Sequence, residues 1–438
     1  MNSEDFESTT SSLVSENDRV GYWAHGERLV DRLFDRVDRL SPIRFLFSLI
    51  LPLTLVFAAT ASWTLPQDPD VITIAVSGWH LGNTGSPFLP GFEHLTEDRY
   101  FGPMGSFRMA PQGPVSQYPP GASLLAAPLY AVTPGDLEER SFRNPSKPEL
   151  GSVDIALPSF WQATLVAVLS TATAIALLGL LFRGQGGGRE AWLAAWVAGL
   201  GTSAWSVASG QLFMHGPTML WISLAMILSS RRSYFWSGLA FGAAVLTRPH
   251  TAVIAACVGI ALGIRDRSLR PILRIGLSSG VGLVGLLAYN HHVFGAVSVS
   301  GGYSEVFTHR LTAIDPLFLF KNLAGGLFDP AQGFLVWTPF LAMLAFGLSH
   351  AWRKSEPLIR GAAIGGLIYL LLQYTMNRYN PGNTTLYRYP LEALTASAPL
   401  WFAAYQHWVK GSSARRRRVF RKLVLTALVL HLIGALFM

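Results

Sequence analysis

The sequence predicts an all-α, polytopic membrane protein with about eleven transmembrane helices, at roughly 20 apolar residues per crossing. Three observations predict it. Half of the 438 residues are hydrophobic and only 14% are charged, against about 25% charged in soluble proteins. Apolar runs recur along the whole chain, separated by short polar stretches. Lysine and arginine collect in every second connection, as the positive-inside rule requires of cytoplasmic loops.

Taken in order, residues 1–20 are polar, serine-rich and acidic, the composition of a segment that does not fold alone. Residues 27–40, ERLVDRLFDRVDRL, place Leu29, Val30, Leu33, Phe34, Val37 and Leu40 on one helical face with Arg and Asp opposite. That pattern suits a helix lying on the cytoplasmic leaflet. Residues 1–42 thus form a cytoplasmic tail, and 43–438 form the transmembrane domain. The first span is expected over 43–64. Its AATAS ending imitates a signal-peptidase site, but the long polar lead and full-length apolar core favour a retained span.

Further spans are expected at 158–182, 191–209, 217–230, 234–247, 250–264, 272–290, 332–351, 361–376, 391–408 and 423–438. The piece 121–133, GASLLAAPLYAVT, is too short to cross and reads as interfacial or re-entrant. With the amino terminus inside, the basic runs near 231, 265 and 415 are all cytoplasmic, and the only acids in the five expected cytoplasmic loops are Glu190, Asp266 and Glu356. The net charge of +8 is accounted for by topology. A folded basic face with base-reading residues is not evident, so nucleic acid is not an expected partner. The single cysteine, Cys257, offers neither a disulfide framework nor a metal site. No internal repeat of the transporter kind is visible.

The first extracytoplasmic loop, 65–157, opens with PQDPDVITIAVSGWHLGNTG. As a helix this stretch aligns Asp70, Thr73, Ser77, His80 and Thr84 in a polar stripe, while Val71, Ile72, Ala75, Val76 and Trp79 cover much of the rest. Such a helix suits the bilayer surface, its stripe facing water or a cavity. Asp68-Pro69 has the order of an N-cap and first-turn proline. Asp68 therefore reads as a cap and Asp70 as the candidate catalytic acid, or as an acid favoured only by the helix dipole.

Other outer segments carry groups suited to sugars and phosphates. Arg248, in FGAAVLTRPH, lies where topology does not favour positive charge. It reads either as a snorkelling side chain or as an anchor for an anionic lipid head. Arg388 and Arg378 are further phosphate-binding candidates, or structural partners of Glu392 or Asp329. His215 is a ligand or a helix-end cap. Tyr118, in a rigid Tyr-Pro-Pro turn, could stack on a sugar. His80, Asn290 and Tyr389 complete the substrate-binding candidates. There is no phosphate loop, HExxH, paired cysteine or GxSxG, and no metal or cofactor is expected.

Six stretches carry a resemblance: DVITIAVSGWHLGNTGSPFLPG (70–91), VSQYPPGASLLAAPLYAV (115–132), GTSAWSVASGQLFMHGP (201–217), GLAFGAAVLTRPHTA (238–252), AYNHHVFGA (288–296) and GGLFDPAQGFLVWTP (325–339). Together and in this order they resemble bacterial, especially actinobacterial, integral-membrane glycosyltransferases of the GT-C fold. That set is related to protein mannosyltransferases, aminoarabinose transferases and arabinofuranosyltransferases. The resemblance implies a GT-C bundle in the plasma membrane, with interfacial helices in the first outer loop and the active site on the extracytoplasmic side. It implies a polyprenyl (decaprenyl) phosphate sugar donor and a glycan, lipid or protein acceptor of the cell envelope. Arabinofuranose and mannose are the sugars it points to. The family's acidic residue of the first outer loop maps onto Asp70, with Asp68 the close alternative. The residue holding the donor phosphate maps onto Arg248. The acidic motif here is DPD rather than an adjacent pair, which leaves the base open between the two aspartates and weakens a metal-dependent reading.

The expected chemistry is an inverting single displacement in which Asp70 acts as general base. A lipid phosphate is a weak base, so one essential carboxylate suffices, unlike glycoside hydrolysis. Arg248, assisted by Arg388 or Arg378, would stabilise the departing phosphate. An apolar groove between spans would take the polyprenyl tail, at about 25 cal/mol per Å² of buried apolar surface. A flippase of lipid-linked sugars or a non-catalytic envelope scaffold are the other classes. The first would show repeats and midplane charges, the second an exposed apolar patch without a polar cavity.

Overall fold

The structure is a computed structural model and describes residues 37–64, 68–98, 101, 106–143, 149, 151–303, 305–380 and 386–437. The polar tail and most of the amphipathic stretch 27–40 lie outside these residues.

Helix α1 (Pro42–Thr60) starts at the Ser41 cap with Pro42 in its first turn. Phe45, Leu49, Leu53 and Phe57 are fully buried at four-residue spacing, while Ile43, Phe47, Leu51 and Leu55 point outward, more than half exposed. A helix apolar on both its inner and outer faces has hydrocarbon as its solvent. Helices α4 (Trp161–Arg183), α9 (Arg270–Phe294), α12 (Pro357–Met376) and α14 (Ala414–Phe437) share with α1 the length and composition to cross a membrane. On α9 the outward stripe is Leu273, Leu277, Val281 and Val284.

These are five of the eleven expected spans. Of the others, α5 (Gly188–Leu200), α6 (His215–Ser230), α7 (Tyr234–Thr247), α8 (Ala252–Asp266) and α13 (Leu391–Ala404) run 13 to 16 residues. That is short of the ~20 needed to cross at 1.5 Å per residue. The helices α5 and α13 are each followed by a π-helical segment, Ala204–Ala208 and Tyr405–Lys410. The span expected over 332–351 is not one helix. It breaks into Phe334–Trp337, Pro339–Ala345 and Leu348–Lys354, because Pro339 forces Thr338 out of the helical region (φ −128°, ψ 62°) and Gly347 follows. Upstream, the expected outer loop 291–331 contains helices α10 (Glu305–Thr312) and α11 (Pro316–Phe328).

The segment 65–157, expected as the first outer loop, is not purely helical among its described residues. Between α2 (Pro69–Thr84) and α4 it forms the hairpin β1 (Phe107–Ala110) and β2 (Gly113–Ser116), helix α3 (Gly121–Val132), and the hairpin β3 (Glu138–Arg143) and β4 (Ser152–Leu157). Phe92, Phe101, Phe107 and Phe142 pack together beneath the two hairpins, with ring centroids 5.5–5.9 Å apart.

This layer changes the surroundings of α2. The sequence places α2 at a bilayer surface with its polar stripe facing water or a cavity; within that stripe Thr73 and Ser77 are buried, as are Val71, Ile72, Ile74, Ala75 and Val76, while His80 is half-buried and Thr84 exposed. A helix covered all round needs neighbours on every side, and α3 supplies one through small residues. A methyl on Gly78 would lie 3.2 Å from the Ala126 Cβ, and one on Gly82 would lie 2.9 Å from the Ala131 nitrogen. The short segment 121–133 thus forms a single twelve-residue helix against α2.

Small residues also join the spans. Gly238 and Gly242 of α7 meet Ser278 and Gly282 of α9, and Gly361 and Gly365 of α12 meet α8 at Cys257 and Ile254. Close backbone approach of this kind is how helices associate where the hydrophobic effect no longer drives them together. The start of α4 lies beside the end of α1, since Thr164 Oγ1 donates to the Ser62 carbonyl at 2.7 Å. The two therefore run antiparallel, and α2 emerges at the end of the bundle they define.

A candidate active site at one end of the bundle

Asp68 is the N-cap of α2. Its Oδ1 accepts from the Asp70 amide at 2.9 Å, with Pro69 in the first turn. The cap fixes the carboxylates of Asp68 and Asp70 beside one another, and a guanidinium from the far end of the chain joins them. Arg388 Nη1 lies 3.3 Å from Asp68 Oδ2, and its Nη2 lies 3.1 Å from Asp70 Oδ2. The sequence suggested Glu392 or Asp329 as partners for Arg388; neither takes that place. Asp329 instead meets the Tyr379 hydroxyl at 3.2 Å.

The Tyr118 hydroxyl donates to the other oxygen of Asp70 in a short hydrogen bond. Burial, then the charge on Asp70, pushes the Tyr118 phenol up, which keeps it a proton donor. The Arg388 guanidinium is held over the rings of Phe213 and Tyr389, at 5.2 and 5.6 Å. Within this group Asp70 is the more open acid, with 15% of its side chain exposed against 5% for Asp68. Burial first, and the neighbouring Asp70 charge second, raise Asp68 from 3.8 to about 7, against the lowering effect of Arg388.

A second group adjoins it. Arg248 caps α7, held extended before Pro249, and its side chain is buried. Its Nη1 lies 3.5 Å from Glu392 Oε1 and 3.2 Å from His215 Nδ1, and its Nη2 donates to Gln373 Oε1 at 2.9 Å. His215 Nδ1 pairs with Glu392 Oε1 at 2.8 Å, and His250 Nε2 with Gln373 Oε1 at 3.0 Å. The helix-capping alternative for His215 is not realised, because its ring serves Glu392.

Two features join the groups. Gly121, three residues after Tyr118, sits so close to Thr247, next to Arg248, that a methyl there would lie 2.7 Å from the Thr247 Cα. Tyr303 packs edge-on against Tyr118, with centroids 6.2 Å apart, and its hydroxyl feels the charges of Arg248, Asp70 and Arg388. The Nε of each arginine and Oε2 of Glu392 are buried without a hydrogen-bond partner among the described residues.

Of the sequence candidates, Asp68, Asp70, Tyr118, Arg388 and Tyr389 come together, and Arg248 and His215 stand beside them. Three others fall outside. His80 is ten residues along α2 from Asp70, about 15 Å down the axis, beside Trp79, and burial lowers its pKa. Asn290 is buried and donates to the Ser298 carbonyl at 2.6 Å, tying down the turn after α9. Arg378 is exposed.

Glu392 and Gln373 were missed as site residues. Glu392 carried a signal: it is the one acid in the apolar run 391–404, and an ionisable group at such depth marks function or a paired charge. Among the described residues no three His, Cys, Asp or Glu side chains form a metal-sized group. The donors and acceptors present suit an anion held by arginines and a hydroxyl delivered to a carboxylate.

No protein-family pattern matches the chain, and no curated protein sequence does. Among solved structures it is similar to the crystal structure of ArnT from Cupriavidus metallidurans bound to undecaprenyl phosphate. The likeness covers 90% of this chain and 75% of that one, at 15% identity and a TM-score of 0.48. At that distance it does not extend to substrate or activity.

Proposed function

We propose that the protein is a GT-C-type membrane glycosyltransferase that moves a sugar from a polyprenyl-phosphate carrier to an acceptor hydroxyl on the extracytoplasmic side. The observation that carries this reading is the Arg388 bridge. One guanidinium joins the two acids that open the first outer segment to a late helix end, and leaves Asp70 the more accessible carboxylate.

In the proposed reaction the acceptor oxygen attacks the anomeric carbon while Asp70 takes the hydroxyl proton. The bond from that carbon to the phosphate oxygen breaks, and the polyprenyl phosphate leaves with the electron pair. Tyr118 and Arg388 orient Asp70, each engaging a different oxygen. Asp68, capping α2 and holding the other fork of Arg388, fixes the guanidinium's register. Arg388, with Arg248 beside it, stabilises charge growing on the departing phosphate. The sugars favoured are arabinofuranose and mannose, with a glycan, lipid or protein of the envelope as acceptor.

The test is transfer by purified protein in liposomes from a panel of polyprenyl-phosphate sugars, with products analysed by mass spectrometry and anomeric configuration by NMR. Transfer with inversion supports the reading. Absence of transfer from every donor, together with no binding of polyprenyl phosphate, rejects it.

A further inference from the structure

The C-terminal helix α14 has only three buried residues, Ala427, His431 and Gly434, on one stripe. The single polar side chain among them, His431, is fully buried. Its Nδ1 pairs with Ser206 Oγ at 2.9 Å, and its Nε2 with Thr338 Oγ1 at 3.2 Å. Thr338 Oγ1 in turn pairs with the Tyr387 hydroxyl at 2.7 Å, and that hydroxyl accepts from the Ser203 amide at 3.1 Å. The Tyr387 and His431 rings meet edge to face, centroids 5.8 Å apart. Gly434, one turn on, packs directly against Leu386.

Every member of this chain of contacts converges on Leu386 and Tyr387, the two residues before Arg388. Thr338 is the residue at which the expected span 332–351 breaks, so the break delivers its hydroxyl to Tyr387. A buried polar network costs free energy unless each member is satisfied, and here the members satisfy one another across four separate segments.

We infer that His431, Thr338 and Tyr387 form a positioning relay that sets the depth and register of Arg388 against Asp68 and Asp70. None of the three touches the acids; each acts through the backbone of 386–388. A looser relay lets the guanidinium drift, and a displacement of ~1 Å in a supporting shell lowers turnover by about 10- to 100-fold. Only this kinetic consequence rests on the transferase reading.

The test therefore has an arm without substrate. Arginine-selective phenylglyoxal is applied to the full-length protein in detergent below its melting temperature. Modification of Arg388 is followed by peptide mass spectrometry, with Arg248 as internal control. Tyr387→Phe removes one oxygen, and should raise the Arg388-to-Arg248 ratio about fivefold, the shift expected from losing one hydrogen bond. His431→Gln places its amide where Nε2 stood and keeps the reach to Thr338, so its ratio should stay near wild type. His431→Asn keeps only the reach to Ser206 and should behave like Tyr387→Phe. An unchanged ratio in folded Tyr387→Phe, or equal ratios for the Gln and Asn variants, overturns the relay. Absence of both sugar transfer and polyprenyl-phosphate binding in the wild type would leave this arm intact and reject only the transferase reading.

Discussion

Arg388 and Arg248 are buried to nearly the same degree, yet their surroundings differ in kind. Arg388 faces two carboxylates, one of them partly open, and a phenol that binds the same acid. Arg248 faces one carboxylate that is fully closed off, plus histidines and an amide. The first arrangement leaves one carboxylate, Asp70, within reach of a hydroxyl from outside. The second is closed on the carboxylate side, suited to holding a charge in place. Burial of an arginine thus says little about its work; the accessibility of its counter-ion says more.

Four measurements test this contrast. The largest expected effect is from Asp70→Asn, which should lower kcat for sugar transfer by about 10²–10⁴ while expression and membrane insertion stay normal. Turnover at the wild-type rate would mean that Asp70 is not the base. On the other side, Glu392→Ala leaves Arg248 as an uncompensated buried charge. It should cost about 3–5 kcal/mol of stability, read from thermal unfolding in detergent. If that variant melts like wild type, the second group is not the buried ion pair described.

Tyr118→Phe removes one donor to Asp70 and should reduce kcat about tenfold, equivalent to ~1.4 kcal/mol, with little change in melting temperature. A loss as large as that of Asp70→Asn would place the phenol in the reaction itself.

A further effect is on pH dependence. Asp68 has a folded-state pKa raised from 3.8 to about 7, by burial and then by Asp70. Its contribution to stability is fully present below the ordinary value and is lost as pH rises through about 7. Wild type should therefore lose melting temperature over that window relative to Asp68→Asn, whose amide oxygen can still cap the Asp70 amide. Parallel curves for the two proteins would show that Asp68 does not titrate there.

Much of the fold was legible locally. Spans such as α1, α4, α9 and α12 follow from apolar length alone, and the α2 cap from Asp68-Pro69. The two hairpins were not, because strands of four to six residues carry too little alternation to stand out beside long helices. The polar stripe of α2 has the periodicity the sequence shows, but its Thr73 and Ser77 are buried, since periodicity shows which residues share a face and not what covers it. In the site, Asp70, Tyr118 and Arg388 were each visible as residue types in outer segments. Their pairing was not, since the structural alternative read for Arg388 named Glu392 or Asp329 and not the two aspartates it meets.

What the sequence determined by itself is a membrane-spanning helical chain with an acid-capped helix after its first span. Those properties are written in composition, length and nearest neighbours. Only the tertiary structure decided that Asp68 and Arg388, 320 positions apart, share one ion pair, and that Glu392 belongs to Arg248. Charges buried beyond the reach of water must find partners wherever the packed helices bring them, and that geometry belongs to the whole bundle rather than to any segment.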